Sequence, residues 1–310
     1  CAVGITWKTT WEMTPRQAGF EAYADGMVRE GRLGARGWIR RLIRVLREYG
    51  TTLRIREFRK HLVIFLLVQT ASDVFGQTFL FFVLYDWDRT AAFASLLLGC
   101  AVVSLPLMPL FGKAVVKLGV RRLYALAFVG MLLGVAWLAL AWVLVDALPG
   151  SVWVVLAVAA SLWFFAFKSL VGYLPWTVLV FIPDIDQIVT RRYRSATFSS
   201  VQSCLRQFGS GVVTIGVGLV LGAVGFDSSL PRQSHEASLG VAAVMLGFYA
   251  VAMIISWLVS SRLVINQETD LAVLHEIERL RSGKDKADVD ESVRHTVERL
   301  TGLSYDECWQ

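Results

Sequence analysis

The sequence predicts an all-α membrane protein with six transmembrane helices. Three observations carry this. Of 310 residues, 55% are hydrophobic and only 18% charged, with a mean hydropathy of +0.54, a balance rare in a soluble domain. The charges gather before Leu62, after Ser261 and in short strips between apolar runs. Six of those runs are unbroken and long enough to cross a bilayer as helix, which takes about 20 residues, whereas barrel strands would alternate.

At the amino-terminal end, residues 1–60 lack a continuous apolar core, so no signal peptide is expected. The first residue is Cys rather than Met. That reads as the interior of a longer frame, with the start of a mature lipoprotein as the alternative. "GWIRRLIRVLREYG" places Trp38, Ile39, Leu42, Leu46 and Tyr49 on one helical face and Arg on the other. Such a basic amphipathic helix either lies on an anionic membrane surface or packs on the cytoplasmic ends of the spans.

The spans are expected near 61–85, 91–111, 122–146, 152–181, 198–225 and 239–261. Residues 29–60 carry eleven Arg or Lys. The second loop, "GKAVVKLGVRR", has Lys113, Lys117, Arg121 and Arg122 and no acid, and the fourth has Arg191, Arg192 and Arg194. The other loops, "YDWDRT", "VDALPGS" and "FDSSLPRQSHEAS", are acidic or mixed. This alternation predicts both ends in the cytoplasm. The expected domains are a cytoplasmic segment 1–60, a bundle 61–262 and a cytoplasmic tail 263–310. Within the tail, "TDLAVLHEIERLRSG" and "DVDESVRHTVERLTG" read as two short amphipathic helices, the second opened by a capping pair of Asp288 and Glu291.

Nothing points to an enzyme: there is no phosphate loop, no HExxH and no nucleophile elbow. The four Cys have no paired spacing, so neither a disulfide framework nor a metal site is expected, and no cofactor follows. Asn266, the sole Asn, starts no glycosylation sequon. The net charge of +6 comes from the loops and reads as topology rather than nucleic-acid binding.

Charges inside the apolar runs mark either a candidate solute path or a buried pair that fixes helix packing, because an ionisable group deep in a bilayer needs a partner or a wet cavity. Asp73 and Lys168 fall near the middle of spans one and four, at similar depth, where a pair is possible if those helices touch. Arg206 lies eight residues past Phe198, about 12 Å into span five. Gln77 sits one turn from Asp73 on the same side. Tyr173 and Trp176, beyond Lys168, either stack on a sugar ring or form an interfacial belt. Span five is also rich in glycine, and Gly218 with Gly222 makes a small-xxx-small step that favours close helix approach.

The strip "GKAVVKLGVRR" resembles the loop that major facilitator carriers place between the second and third spans of each six-span half, with Gly112, Gly119, Arg121 and Arg122 in place. "PDID", the Arg residues after it and "FSSVQSCLRQFGSG" are similar to the glycoside–pentoside–hexuronide:cation symporters of the melibiose-permease type, over about residues 51–283. The resemblance implies the carboxy-terminal six-span half of a major facilitator fold, with the amino-terminal half missing and "AVGITWKTTWE" as the end of a preceding span. It implies a sodium- or proton-coupled sugar or glycoside carrier in a plasma (bacterial inner) membrane, with the coupling cation held mainly by the missing half. It casts Asp184, Asp186, Arg191, Arg192 and Arg194 as a cytoplasmic gate, and Arg206 and Gln207 as facing the cavity or that network. The chain departs from the family in having Asp184-Ile-Asp186 in place of Asp-x-x-Asp, Ser195 near the place of a Glu, and Gln207 at that of a Lys. Lysophospholipid carriers share the broad resemblance, and Leu174-Pro175-Trp176 suits them too. The rival from another class is a six-span, non-transporting subunit that binds a partner through its Arg-rich helix and tails.

Overall fold

The computed structural model describes residues 35–230 and 232–309. The stretch "AVGITWKTTWE" lies outside the described residues. The chain divides into two compact units, residues 1–48 and 49–310. The first is described through the amphipathic helix Ala35–Thr52, which runs on into the second. Among the described residues every regular element is helical.

Six helices are long and apolar enough to cross a membrane. Span one (Arg56–Asp86) starts five residues before the first apolar run, because Arg56, Glu57, Arg59 and Lys60 are themselves good helix formers. Span two (Ala91–Leu118) is two helices joined by a tight turn at Cys100–Val103, with Thr90 capping its start. Span three (Val120–Val143) follows after Gly119 alone. That glycine has φ 75° and ψ 160°, a backbone region that side chains all but exclude. The reversal between spans two and three therefore needs a single residue.

Span four (Gly150–Thr190) corrects an expectation. Asp184 and Asp186 do not sit in a loop. They lie in a short helix, Ile182–Thr190, that continues the span after a break at Val180 and Phe181. Pro183 stands in its first turn, where the missing N–H costs nothing. Span five (Ser195–Ala223) and span six (His235–Ser260) complete the bundle. In the tail, helices Gln267–Arg281 and Glu291–Thr301 form as expected, but the second is capped by Asp290, which accepts from Ser292 N at 2.8 Å. Asp288 belongs instead to the preceding turn, Lys286–Asp288.

Spans one, three, four and six make the core, and 39–50% of the residues in their most apolar stretches are buried. Phe75 of span one stacks on Phe164 of span four at 4.6 Å between ring centres, and Tyr249 of span six closes the cluster edge-on. Spans three and four pack closest. A side chain at Gly130 would begin 2.0 Å from the Phe167 ring, and Trp163 Nε1 donates to the Gly130 carbonyl at 2.8 Å. The close approach predicted for Gly218 and Gly222 is not made within the described residues, since a Cβ added at either would meet nothing within 4 Å. In spans two and five only 11% of the corresponding stretch is buried.

Candidate functional site

Spans one and five run parallel and are stitched by polar side chains along their length. On span five Gln202, Arg206 and Thr214 recur at multiples of four residues, so they share the face turned to span one. Nearest the start of both spans, the buried His61 ring bonds through Nε2 to Gln202 Oε1 at 2.7 Å. Further along, Arg206 Nη2 donates to Asp73 Oδ1 at 3.3 Å. One turn beyond, Gln77 Nε2 donates to Thr214 Oγ1 at 3.1 Å.

The ion pair revises the expected partnership. Spans one and four do touch, but the guanidinium on Asp73 is that of Arg206, from a helix that enters from the same end. Lys168 interacts with Asp73 electrostatically and makes no direct bond to it. One carboxylate is thus flanked by two cations. Its second oxygen, Oδ2, is buried with no hydrogen-bond partner among the described residues. A buried carboxylate oxygen left bare costs roughly 1–3 kcal/mol or more, so this atom is set to accept a donor.

The remaining cavity candidates lie on spans four and five. Lys168, Gly172, Trp176 and Val180 form a stripe at four-residue steps on span four, and Trp176 is 46% exposed. Trp176 also meets Phe65 edge-on at 5.5 Å. Tyr173 is half-buried and turned toward Phe111 of span two, 6.1 Å between ring centres. Gln207 is exposed beside Arg206.

The expected gate cluster resolves into three separate contacts. Arg194 forms a fork on the buried Asp186, with Nε to Oδ2 at 2.8 Å and Nη2 to Oδ1 at 2.6 Å, and Nη1 reaches Thr51 Oγ1 at 3.0 Å. Arg191 caps the short helix in the left-handed region, φ 59°. It turns away from the acids, donating through Nη2 to the Trp309 carbonyl at 2.6 Å and lying over the Trp309 ring. Asp184 faces Asp270 of the first tail helix. Asp270 is pushed up to about 6, first by burial and then by Asp184. Tyr193 is raised by burial and by both carboxylates. Arg192 is exposed and lines a cavity of about 560 Å³ with Arg54, Thr190 and Glu307. The loop-motif residues Lys113, Lys117, Arg121 and Arg122 are exposed and pair with no acid among the described residues, while Gly112 packs near the Tyr173 hydroxyl.

Sequence reasoning missed His61, Gln202 and Thr214, although the four-residue polar period on span five was a usable signal. It also missed Asp270 and Trp309, which reach Asp184 and Arg191 only through tail docking. Among the described residues no group of His, Cys, Asp and Glu could hold a metal ion. A family model described as MFS/sugar transport protein matches residues 36–267, which takes in all six spans. No curated protein matches the chain.

Proposed function

The chain belongs to the MFS/sugar transport protein family, and from that premise we propose that its six spans are half of a carrier moving a small sugar or glycoside by cation-coupled alternating access. Membership makes it an integral, multi-pass secondary transporter. The finer reading rests on one observation: Asp73, held by Arg206 and attracted by Lys168, keeps a buried carboxylate oxygen with no donor among the described residues. A sugar hydroxyl donates to such an oxygen, and neighbouring hydroxyls accept from the two cations. The exposed Trp176 face offers a surface for the ring C–H groups. No enzymatic step and no cofactor are part of this reading.

The flank that holds Asp73 is only half a cavity. Its other wall is a second six-span unit, which holds most of the ligands of the coupling cation, sodium or a proton. The sparse burial of spans two and five supports such a partner, with the lipid bilayer around the rest. The Arg194–Asp186 fork and the Arg191–Trp309 latch, at the end where basic loops cluster, act as the cytoplasmic gate. Both ends then lie in the cytoplasm, beneath a plasma or bacterial inner membrane.

Uptake of radiolabelled sugars by cells making the complete carrier tests this. Asp73→Asn and Arg206→Ala are each expected to bring uptake to background while the protein still reaches the membrane. Arg206→Lys, which keeps the charge but not the guanidinium, is expected to retain a fraction. Unchanged uptake in both of the first two variants would remove the assignment.

A further inference from the structure

A second cavity, of about 470 Å³, lies where span one begins and span six ends. Five cations converge on it: Arg56, Arg59 and Lys60 of span one, Arg262 just past span six, and Arg299 of the second tail helix. Arg56, Arg59 and Lys60 share a face because they are three and four residues apart. Arg299 is delivered by tail docking. The tail helix buries Val297 and Leu300, then reverses at Gly302, φ 76°. A side chain at Gly302 would begin 2.9 Å from Arg56 Cβ, so only glycine lets the tail close this tightly.

The neighbouring acid is already used. Glu57 Oε1 takes Lys60 Nζ at 2.5 Å, and Glu57 Oε2 accepts from Val264 N at 3.1 Å. Lys60 also donates to the Arg262 carbonyl at 2.7 Å, tying the two span ends together. Arg56, Arg59, Arg262 and Arg299 have no acidic partner among the described residues; Arg59 makes only a 3.4 Å contact with the Leu53 carbonyl. Four guanidinium groups held close without an anion repel one another, and the arrangement is relieved by a ligand that accepts several forked hydrogen bonds. The rest of the wall is apolar: Val63, Val259 and Val264. Val63 is 43% exposed and leads onto the outer surface of span one.

We propose that this cavity binds the phosphate headgroup of an acidic phospholipid. The forked cations take the phosphate, and the valines continue the site toward the acyl chains. The height fits, because the start of one span and the end of another mark the headgroup layer, and basic pockets between span ends suit anionic lipids. A soluble phosphate compound shares the charge chemistry but makes no use of the valine wall. The inference rests on reading spans one and six as membrane helices and is independent of which solute is carried.

The test is lipid binding to the purified full chain, read by native mass spectrometry with dioleoyl phosphatidylglycerol and with phosphatidylcholine of the same chains. Wild type should prefer phosphatidylglycerol. Arg262→Gln with Arg299→Gln should weaken that lipid about 30-fold, given the value of two basic residues at a membrane surface, and leave phosphatidylcholine unchanged. Equal binding of both lipids by wild type, or equal phosphatidylglycerol binding by wild type and variant, overturns the proposal. Inorganic phosphate that displaces the lipid completely also overturns it and assigns the cavity to a soluble anion. Should the double variant not fold, wild-type affinity for phosphatidylglycerol must still fall as salt rises, and a salt-independent affinity counts against the site. Insertion into neutral phosphatidylcholine nanodiscs checks the membrane reading separately.

Discussion

Asp270 shows how one buried carboxyl can set the pH response of the tail. It lies in the first turn of helix Gln267–Arg281, buried against the short helix that carries Asp184, and its Oδ1 has no hydrogen-bond partner among the described residues. Burial, then Asp184, lifts it to about 6, against roughly 3.9 in an unfolded chain. Between those values the folded protein keeps a proton that the unfolded chain has lost. Stability therefore falls as pH rises from about 4 to about 6, and the cost is complete above that window. Asp270→Asn is expected to melt higher than wild type at pH 7, by on the order of 1–2 kcal/mol, which is below the full linkage value because the carboxyl keeps some access to solvent. The gap should close at pH 4. Melting curves at the two pH values decide it, and a difference that does not change with pH would exclude Asp270 as the titrating group.

At the level of elements, the turn between spans two and three makes the sharpest demand. Gly119 alone bridges Leu118 and Val120 at φ 75° and ψ 160°. An added Cβ would meet nothing within 4 Å, so Gly119→Ala tests the backbone without a clash. It is expected to cost about 1–3 kcal/mol, seen as a lower melting temperature; equal melting would show that the turn has another conformation. This glycine was legible in the sequence, as were all six spans, because a continuous apolar run implies a spanning helix whatever it packs against. Asp184 and Asp186 were not, since two acids after a proline read as loop until packing against the tail is known. Glycine roles misled for a similar reason. Span five is richest in glycine, yet the tight contact falls at Gly130 of span three, where the facing Phe167 and Trp163 decide it. The ionisable residues of the proposed solute path stood out by their cost in an apolar run. Their pairing did not, because Asp73 is equally consistent with Lys168 or Arg206 until the neighbouring helices are placed.

For the whole molecule, the uneven burial of the spans divides its surface. Spans one, three, four and six interlock through an aromatic core, while span five leans chiefly on span one. Its far side presents Cys204, Phe208, Gly211, Ile215 and Leu219 in one helical stripe, with Phe208 73% exposed. Bilayer lipid would satisfy the apolar members, but the same helix brings Arg206 and Gln207 to the flank that holds Asp73. A lipid-covered span five would leave those groups facing hydrocarbon, at a cost of a few kcal/mol for a charge. The proposed second six-span unit across the flank would remove that cost by enclosing a wet cavity. Cys204, exposed on the stripe, is a native probe of the difference. In the six-span chain alone it is expected to react readily with a membrane-permeant maleimide, the site being read by peptide mass spectrometry. In the complete carrier the rate should fall on the order of tenfold, since a packed helix interface excludes the reagent. An unchanged rate would mean that lipid, and not a second bundle, covers this face of span five.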